Sequence, residues 1–239
     1  MKLLIILMFI SLVYSQKVVF VCEEYPPYEF IDNDNKPNGL DIEIIRNIMI
    51  YHPTIEYEIK FKNWDDGYSK VISGEYDAIF CLYKNKNREK YLYYPITPLS
   101  IDRNVFFVNN NFNINIKSLE DVKDLKIGVV KENSYGNKFD SFNFKNKIQC
   151  DNQLDLLKKF TTNKFDIYVN STYVGWYYII KYNLKNIKRV DYIINSDPLY
   201  IAFSKKSKNG KMLNDIFQEG LRRMKRNNEL EQIRKKYIK

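Results

Sequence analysis

Few residues in this chain could carry covalent or acid–base chemistry. His52 is the single histidine and sits beside Pro53, so any Ser-His-Asp or Cys-His arrangement would have to use it. No Gly-x-Ser-x-Gly, no phosphate-cradling Gly-rich loop and no Gly-x-Gly-x-x-Gly occurs. The carboxylate pairs Glu23-Glu24 and Asp65-Asp66 are sequence neighbours, and neighbours on a strand or helix point apart. Cys22, Cys81 and Cys150 lack Cys-x-x-Cys or His-x-x-x-His spacing, so neither a metal nor a cofactor is expected. What remains is recognition chemistry. Tyr25, Tyr28, Trp64, Tyr83 and Tyr135 offer aromatic faces, and Arg88 offers a guanidinium. Asn133, Ser134, Asn170 and Ser171 offer amides and hydroxyls. Such a set suits a small carboxylate-bearing ligand, held by the planar fork of the arginine and enclosed by rings.

These groups act together only if the fold gathers them. Lys17 to Cys22 is an apolar run of strand length, ended by Tyr25-Pro26-Pro27. Leu40, Ile44, Ile45, Ile48 and Met49 recur at helical spacing. Ile55 to Phe61 alternates like a half-buried strand, and Asp65 is placed to cap a helix carrying Tyr68, Val71 and Ile72. Asp77 to Leu82 is a third strand. A second set follows the extended stretch Asn104 to Val108. It comprises a short helix from Ser118, a strand Lys126 to Val130, a helix Ser134 to Phe142, a helix Asp151 to Thr161, a strand Asp166 to Val169 and a helix Thr172 to Tyr182. Tyr200 to Ser204 returns as a strand. A long amphipathic helix through Leu213, Phe217, Leu221 and Met224 then breaks at Asn227-Asn228 before a last one. This order predicts an α/β fold, with mixed sheets flanked by helices. Ligands in such sheets bind beyond the carboxyl ends of the strands. Those ends carry Tyr25 and Tyr28, Trp64, then Cys81, Leu82 and Tyr83 with Arg88. The second set contributes Val130, Lys131, Asn133, Ser134, Tyr135, Asn170 and Ser171.

The 239 residues, 45% apolar and 15% aromatic, supply a sizeable core. A disordered chain, a collagen and a small disulfide scaffold are excluded. Net charge is +9, but the densest cations, Arg222-Arg223, Lys225-Arg226 and Arg234-Lys235-Lys236, fall on the polar faces of amphipathic helices. No nucleic-acid partner is expected, since aromatics do not alternate with those cations. Lys2, the apolar run Leu3 to Val13 and the site after Ser15 read as a secretory signal peptide, residues 1–15. An exported, soluble, monomeric protein is expected. Asn170-Ser171-Thr172 is a sequon, and Cys22 and Cys81 end neighbouring strands where a bridge could form in an oxidising compartment.

Several segments together resemble one family. They are Val18 to Phe30, Gly39 to Ile44, Asn63-Trp64-Asp65, Gly74 to Ile79, Asn87-Arg88-Glu89, Lys117 to Val122, Lys126 to Val129 and Leu230 to Tyr237. Their order and spacing are similar to the bacterial family 3 solute-binding proteins, the periplasmic receptors of ABC importers for polar amino acids. The resemblance implies a type II two-lobe clamshell: lobe 1 from 16–101 plus 199–239, lobe 2 from 102–198, with hinges near 101–104 and 197–200. It also implies a membrane permease as partner. Tyr25 and Trp64 match positions that sandwich the ligand, Arg88 the residue that holds its α-carboxylate, and Asn133 to Tyr135 the second lobe's contacts to that group. Cys22 and Ser171 stand where relatives often have acids, which implies weak ammonium recognition. An enzyme on the same fold, like cyclohexadienyl dehydratase with Glu23 or Glu24 as its acid, is one alternative. A secreted polyanion-binding protein is the other.

Overall fold

The computed structural model describes residues 17–131 and 133–237; the expected signal peptide lies outside them. The chain opens with β1 (Val18–Cys22), every residue of which is buried. A hairpin of β2 (Phe30–Ile31) and β3 (Pro37–Asn38) leads into α1 (Leu40–Met49). Gly39 makes that entry possible. Its φ is 131°, and a Cβ there would lie 2.3 Å from the Tyr28 carbonyl oxygen, so a side chain is excluded on both counts. Then come β4 (Tyr57–Phe61), α2 (Trp64–Ser73), β5 (Ala78–Tyr83) and β6 (Leu92–Tyr93). The cap of α2 is Asn63, whose side chain accepts from the Asp66 N–H, rather than the expected Asp65.

The long strand β7 (Ser100–Asn109) carries the chain into its second half. There β8 (Lys126–Val130), α3 (Asn137–Asp140), β9 (Asn146–Cys150), α4 (Gln153–Thr161), β10 (Ile167–Ser171) and α5 (Thr172–Lys181) follow. The expected helix 134–142 shrinks to the single turn of α3, because Ser134 and the Tyr135 N–H both donate to Asp140 and tie off the segment before it. β11 (Ile187–Ser204) returns to the first half, and α6 (Gly210–Arg226) and α7 (Glu229–Tyr237) end the described chain. The Ser118 box predicted from Ser-x-x-Asp is present at a 3-10 turn, Leu119–Val122.

Apart from the β2–β3 hairpin, the strands join into one mixed sheet in the order β4-β1-β5-β11-β7-β10-β8-β9, with β6 beside β11. Strands β1, β4 and β5 pair in parallel, as do β8, β9 and β10. Between these sets, β7 and β11 run antiparallel through both halves, with Asn104 opposite Asn195 and Asp102 opposite Asp197. Helices cover the faces and divide the apolar residues into separate cores. In the first half, Phe20, Phe203 and Phe217 meet at 5.6 and 5.1 Å between ring centroids, locking α6 to the sheet. In the second, Phe107 stacks on Tyr168, which Phe160 meets edge-on. The carboxyl ends of both parallel sets face the same gap, where β7 and β11 cross.

Candidate functional site

A cavity of about 390 Å³ occupies that gap, within the size range of small-molecule sites. The first half lines it with Tyr25, Trp64, Cys81, Leu82, Tyr83 and Arg88; the second half with Asn133, Ser134, Tyr135, Asn170 and Ser171. Of the residues expected from sequence, Val130, Lys131 and Tyr28 do not line it. The Val130 side chain is buried in the second-half core, and its N–H donates to Tyr135 Oη over 2.8 Å. Val130 thus holds the ring of Tyr135 and does not face the ligand space. Lys131 pairs with Asp151 on the surface, and Tyr28 lies fully buried beneath Tyr25, the two rings 5.5 Å apart and nearly parallel.

Each wall has a local cause. After β1, the Tyr25 N–H donates to the Glu29 carbonyl and the Tyr28 N–H to the Tyr25 carbonyl. This tight turn through Pro26-Pro27 places Tyr25 and Glu29 side by side. Trp64 opens α2 just after its cap and stacks on Tyr68 at 5.6 Å. Arg88 rests over the Trp64 ring at 4.9 Å, and its Nη1 donates to the Tyr83 carbonyl over 2.7 Å. The guanidinium is therefore fixed by a cation–π contact and a backbone tether, leaving its other N–H groups to a ligand. Asn170 and Gln153 exchange amide hydrogen bonds. The Asn170 side chain is thus committed inside the protein, at 2% exposure, and unsuited to a glycan.

The cavity also contains acids that strand-end reasoning missed: Glu29 and Asp102, with Asn104 beside them. Asp102 is 3% exposed and lies mid-strand in β7, where the two halves meet. It accepts hydrogen bonds from Tyr28 Oη and Tyr83 Oη, each 3.2 Å long. Burial raises its pKa above the ordinary carboxylate range, against those hydrogen bonds, which lower it. Glu23 and Glu24 both line the mouth. Neighbours point apart on a strand or helix, but β1 ends at Cys22 and this pair lies in coil, so both reach the cavity. Among the described residues, Arg88 is the one basic group on a wall carrying Glu23, Glu24, Glu29 and Asp102. The premise of a cleft poor in ammonium acceptors is thereby corrected.

Cys22 does not face the cavity. Its side chain is buried in the first-half core, with Sγ 3.9 Å from the Lys60 carbonyl oxygen. Cys22 and Cys81 are both free thiols, so the bridge considered from sequence is not formed.

The sequence profile of the bacterial extracellular solute-binding proteins, family 3, matches residues 18–239. The chain belongs to this family. A search of curated protein sequences finds no match. Among solved structures, an ancestral cationic amino acid solute-binding protein superposes with a TM-score of 0.79 at 19% identity, covering 93% of this chain and 96% of that one. Substrate-binding domain 2 of GlnP from Lactococcus lactis, in an open conformation, gives 0.75 at 17% identity, covering 93% and 94%. A histidine kinase sensor domain similar to periplasmic binding proteins gives 0.73 at 23% identity, covering 93% and 96%. The family 3 fold is a type II two-lobe clamshell, and the cavity lies where its two lobes face each other. Among the described residues, no helix is long and apolar enough to cross a membrane.

Proposed function

We propose that this family 3 protein is an exported, non-catalytic receptor that closes over a small dipolar ligand, a polar amino acid or a close relative. One observation carries the reading: a single tethered guanidinium shares a cavity, lined by both halves, with the carboxylates of Glu23, Glu24, Glu29 and Asp102. Arg88 receives the ligand's carboxylate in two parallel hydrogen bonds, and Asn133 and Ser134 meet the same group from the other half. Asp102, with Glu23 and Glu24 at the mouth, receives the positive end. Tyr25 and Trp64 enclose the ligand's body. The acidic wall within a chain of net charge +9 favours a ligand with at least one cationic group, because local charge in a cleft sets the field there. Delivery is to a membrane permease or, as the sensor-domain neighbour illustrates for its own fold, to a signalling partner.

Calorimetric titration tests this with three sets of compounds: α-amino acids with basic, neutral and acidic side chains, their desamino analogues, and the corresponding amines lacking a carboxylate. Binding should require the carboxylate and improve with positive charge. Arg88→Ala should weaken the best binder by about 2–5 kcal/mol, the usual effect of removing one partner of a buried charge pair, while the chain stays folded. Equal affinity for the amines, or an unchanged affinity in Arg88→Ala, would remove Arg88 from the role given to it here.

A further inference from the structure

Three elements converge at the floor of the cleft on a group that dipolar ligand recognition does not use. Glu29 comes from the turn after β1, Asp41 from the first turn of α1, and Cys81 from β5. One ligand atom from each, two carboxylate oxygens and the Cys81 sulfur, lies within 4.8 Å of the other two. Cys81 is the extra residue of a β-bulge: Leu82 faces Tyr200 and Phe80 faces Ile201, leaving Cys81 unpaired on β11. Its φ of 61° turns the thiol out of the strand's alternation, as bulges beside binding sites do.

The partners of these groups are incomplete in an unusual way. Glu29 has no exposed surface, and among the described residues its side-chain oxygens meet no donor other than the neighbouring Cys81 thiol. Asp41 is equally buried. Its Oδ2 accepts from Ser100 Oγ at 3.4 Å, while its Oδ1 has no partner among the described residues. Arg234 is near enough to act on Asp41 through its charge but donates no hydrogen bond to it: its Nη atoms donate to Glu231 and the Leu99 carbonyl, and its buried Nε has no partner among the described residues. Buried carboxylates without donors are costly, and native structures normally neutralise them with a cation or a proton.

We propose that Glu29, Asp41 and Cys81 form a binding site for one zinc-class divalent cation at the floor of the cleft. A cation there takes one carboxylate oxygen from Glu29, one from Asp41 and the Cys81 thiolate as its donors. The sulfur donor selects zinc-like ions over magnesium and calcium, which prefer all-oxygen shells. Binding releases the thiol proton to solvent, since the sulfur coordinates as thiolate. Three protein ligands leave a fourth tetrahedral position open. Because Glu29 and Cys81 both line the cavity, that position faces the cleft, where water or a donor atom of the bound solute completes the shell.

Cobalt(II) is the probe, added to the whole protein under a phosphine reductant with no amino acid present. That choice keeps the result separate from the receptor reading, which the compound titrations above decide. One equivalent should bind with a thiolate-to-cobalt absorption band in the near ultraviolet. The band should persist in Cys22→Ser and Cys150→Ser and vanish in Cys81→Ser. Glu29→Gln should weaken the ion by more than about tenfold, the low end of what even outer partners of metal ligands contribute. If Cys81→Ser fails to fold, zinc should instead slow alkylation of Cys81 in the unmodified chain, read by peptide mass. No binding, a band that survives in Cys81→Ser, unchanged affinity in Glu29→Gln, or unprotected Cys81 would each overturn the site and leave an adventitious ion only.

Discussion

Asp102 shows what a single side chain adds to this cleft. Two tyrosine hydroxyls donate to it, and it is almost entirely buried. Its pKa is raised, with burial the leading cause. A raised acid binds its proton more tightly folded than unfolded. Its stabilising contribution is therefore complete below the unfolded value of about 3.9 and is lost as pH rises through the folded value. Asp102→Asn should flatten the decline of urea-measured stability between about pH 4 and the raised pKa. Some slope should remain, because Glu29 and Asp41 are shifted in the same direction by burial, Asp41 to about 7. An identical pH profile in the variant would show that Asp102 titrates as an ordinary carboxylate. Sequence reading gathered the aromatic and amide residues because they follow strands, where a local rule applies. It missed Asp102 and Glu29 because neither sits at a strand end: one lies inside a crossing strand, and the other is returned to the cavity by a turn.

At the level of elements, legibility followed hydrophobic contrast. β1, α1, β8 and α6 were readable because each buries one uninterrupted run or one clean stripe. β11 was not readable beyond Tyr200–Ser204. Its first part alternates half-buried and exposed residues and contains Pro198, which resembles loop when read alone; pairing with β7 is what makes it a strand. β9, polar and at the sheet edge, escaped for the same reason. The docking of α6 gives a test at this scale. Phe217 is fully buried between Phe20 and Phe203, so Phe217→Ala should cost about 3–5 kcal/mol of unfolding free energy. A loss below about 1 kcal/mol in denaturant titration would mean that the helix contributes little to the first-half core.

For the whole molecule, residues from both halves share one cavity wall. A ligand that touches both stabilises the shut arrangement by whatever it gains there over the open one. Adding a tight-binding solute should reduce the radius of gyration in solution scattering. Asn133→Ala with Ser134→Ala should weaken binding and diminish that compaction, whereas Arg88→Ala should weaken binding chiefly through the first half. Unchanged scattering at saturation would mean that the halves do not move on binding. The two-half organisation itself was legible from the order of strands and helices. The lining of their shared cavity was not, because it depends on how β7 and β11 cross.

That crossing has a further consequence. Both described chain ends belong to the first half, and the second half leaves and returns through β7 and β11 side by side, with Arg103 opposite Ser196. Paired antiparallel positions lie about 5 Å apart, a gap that a two-residue turn spans. The second half is topologically a cassette. Excising it and joining the stumps with a short hairpin leaves the first half its own sheet and helices but strips its core of Tyr173 and Val174 from α5, so a recombined second half must also supply a ring against Tyr28.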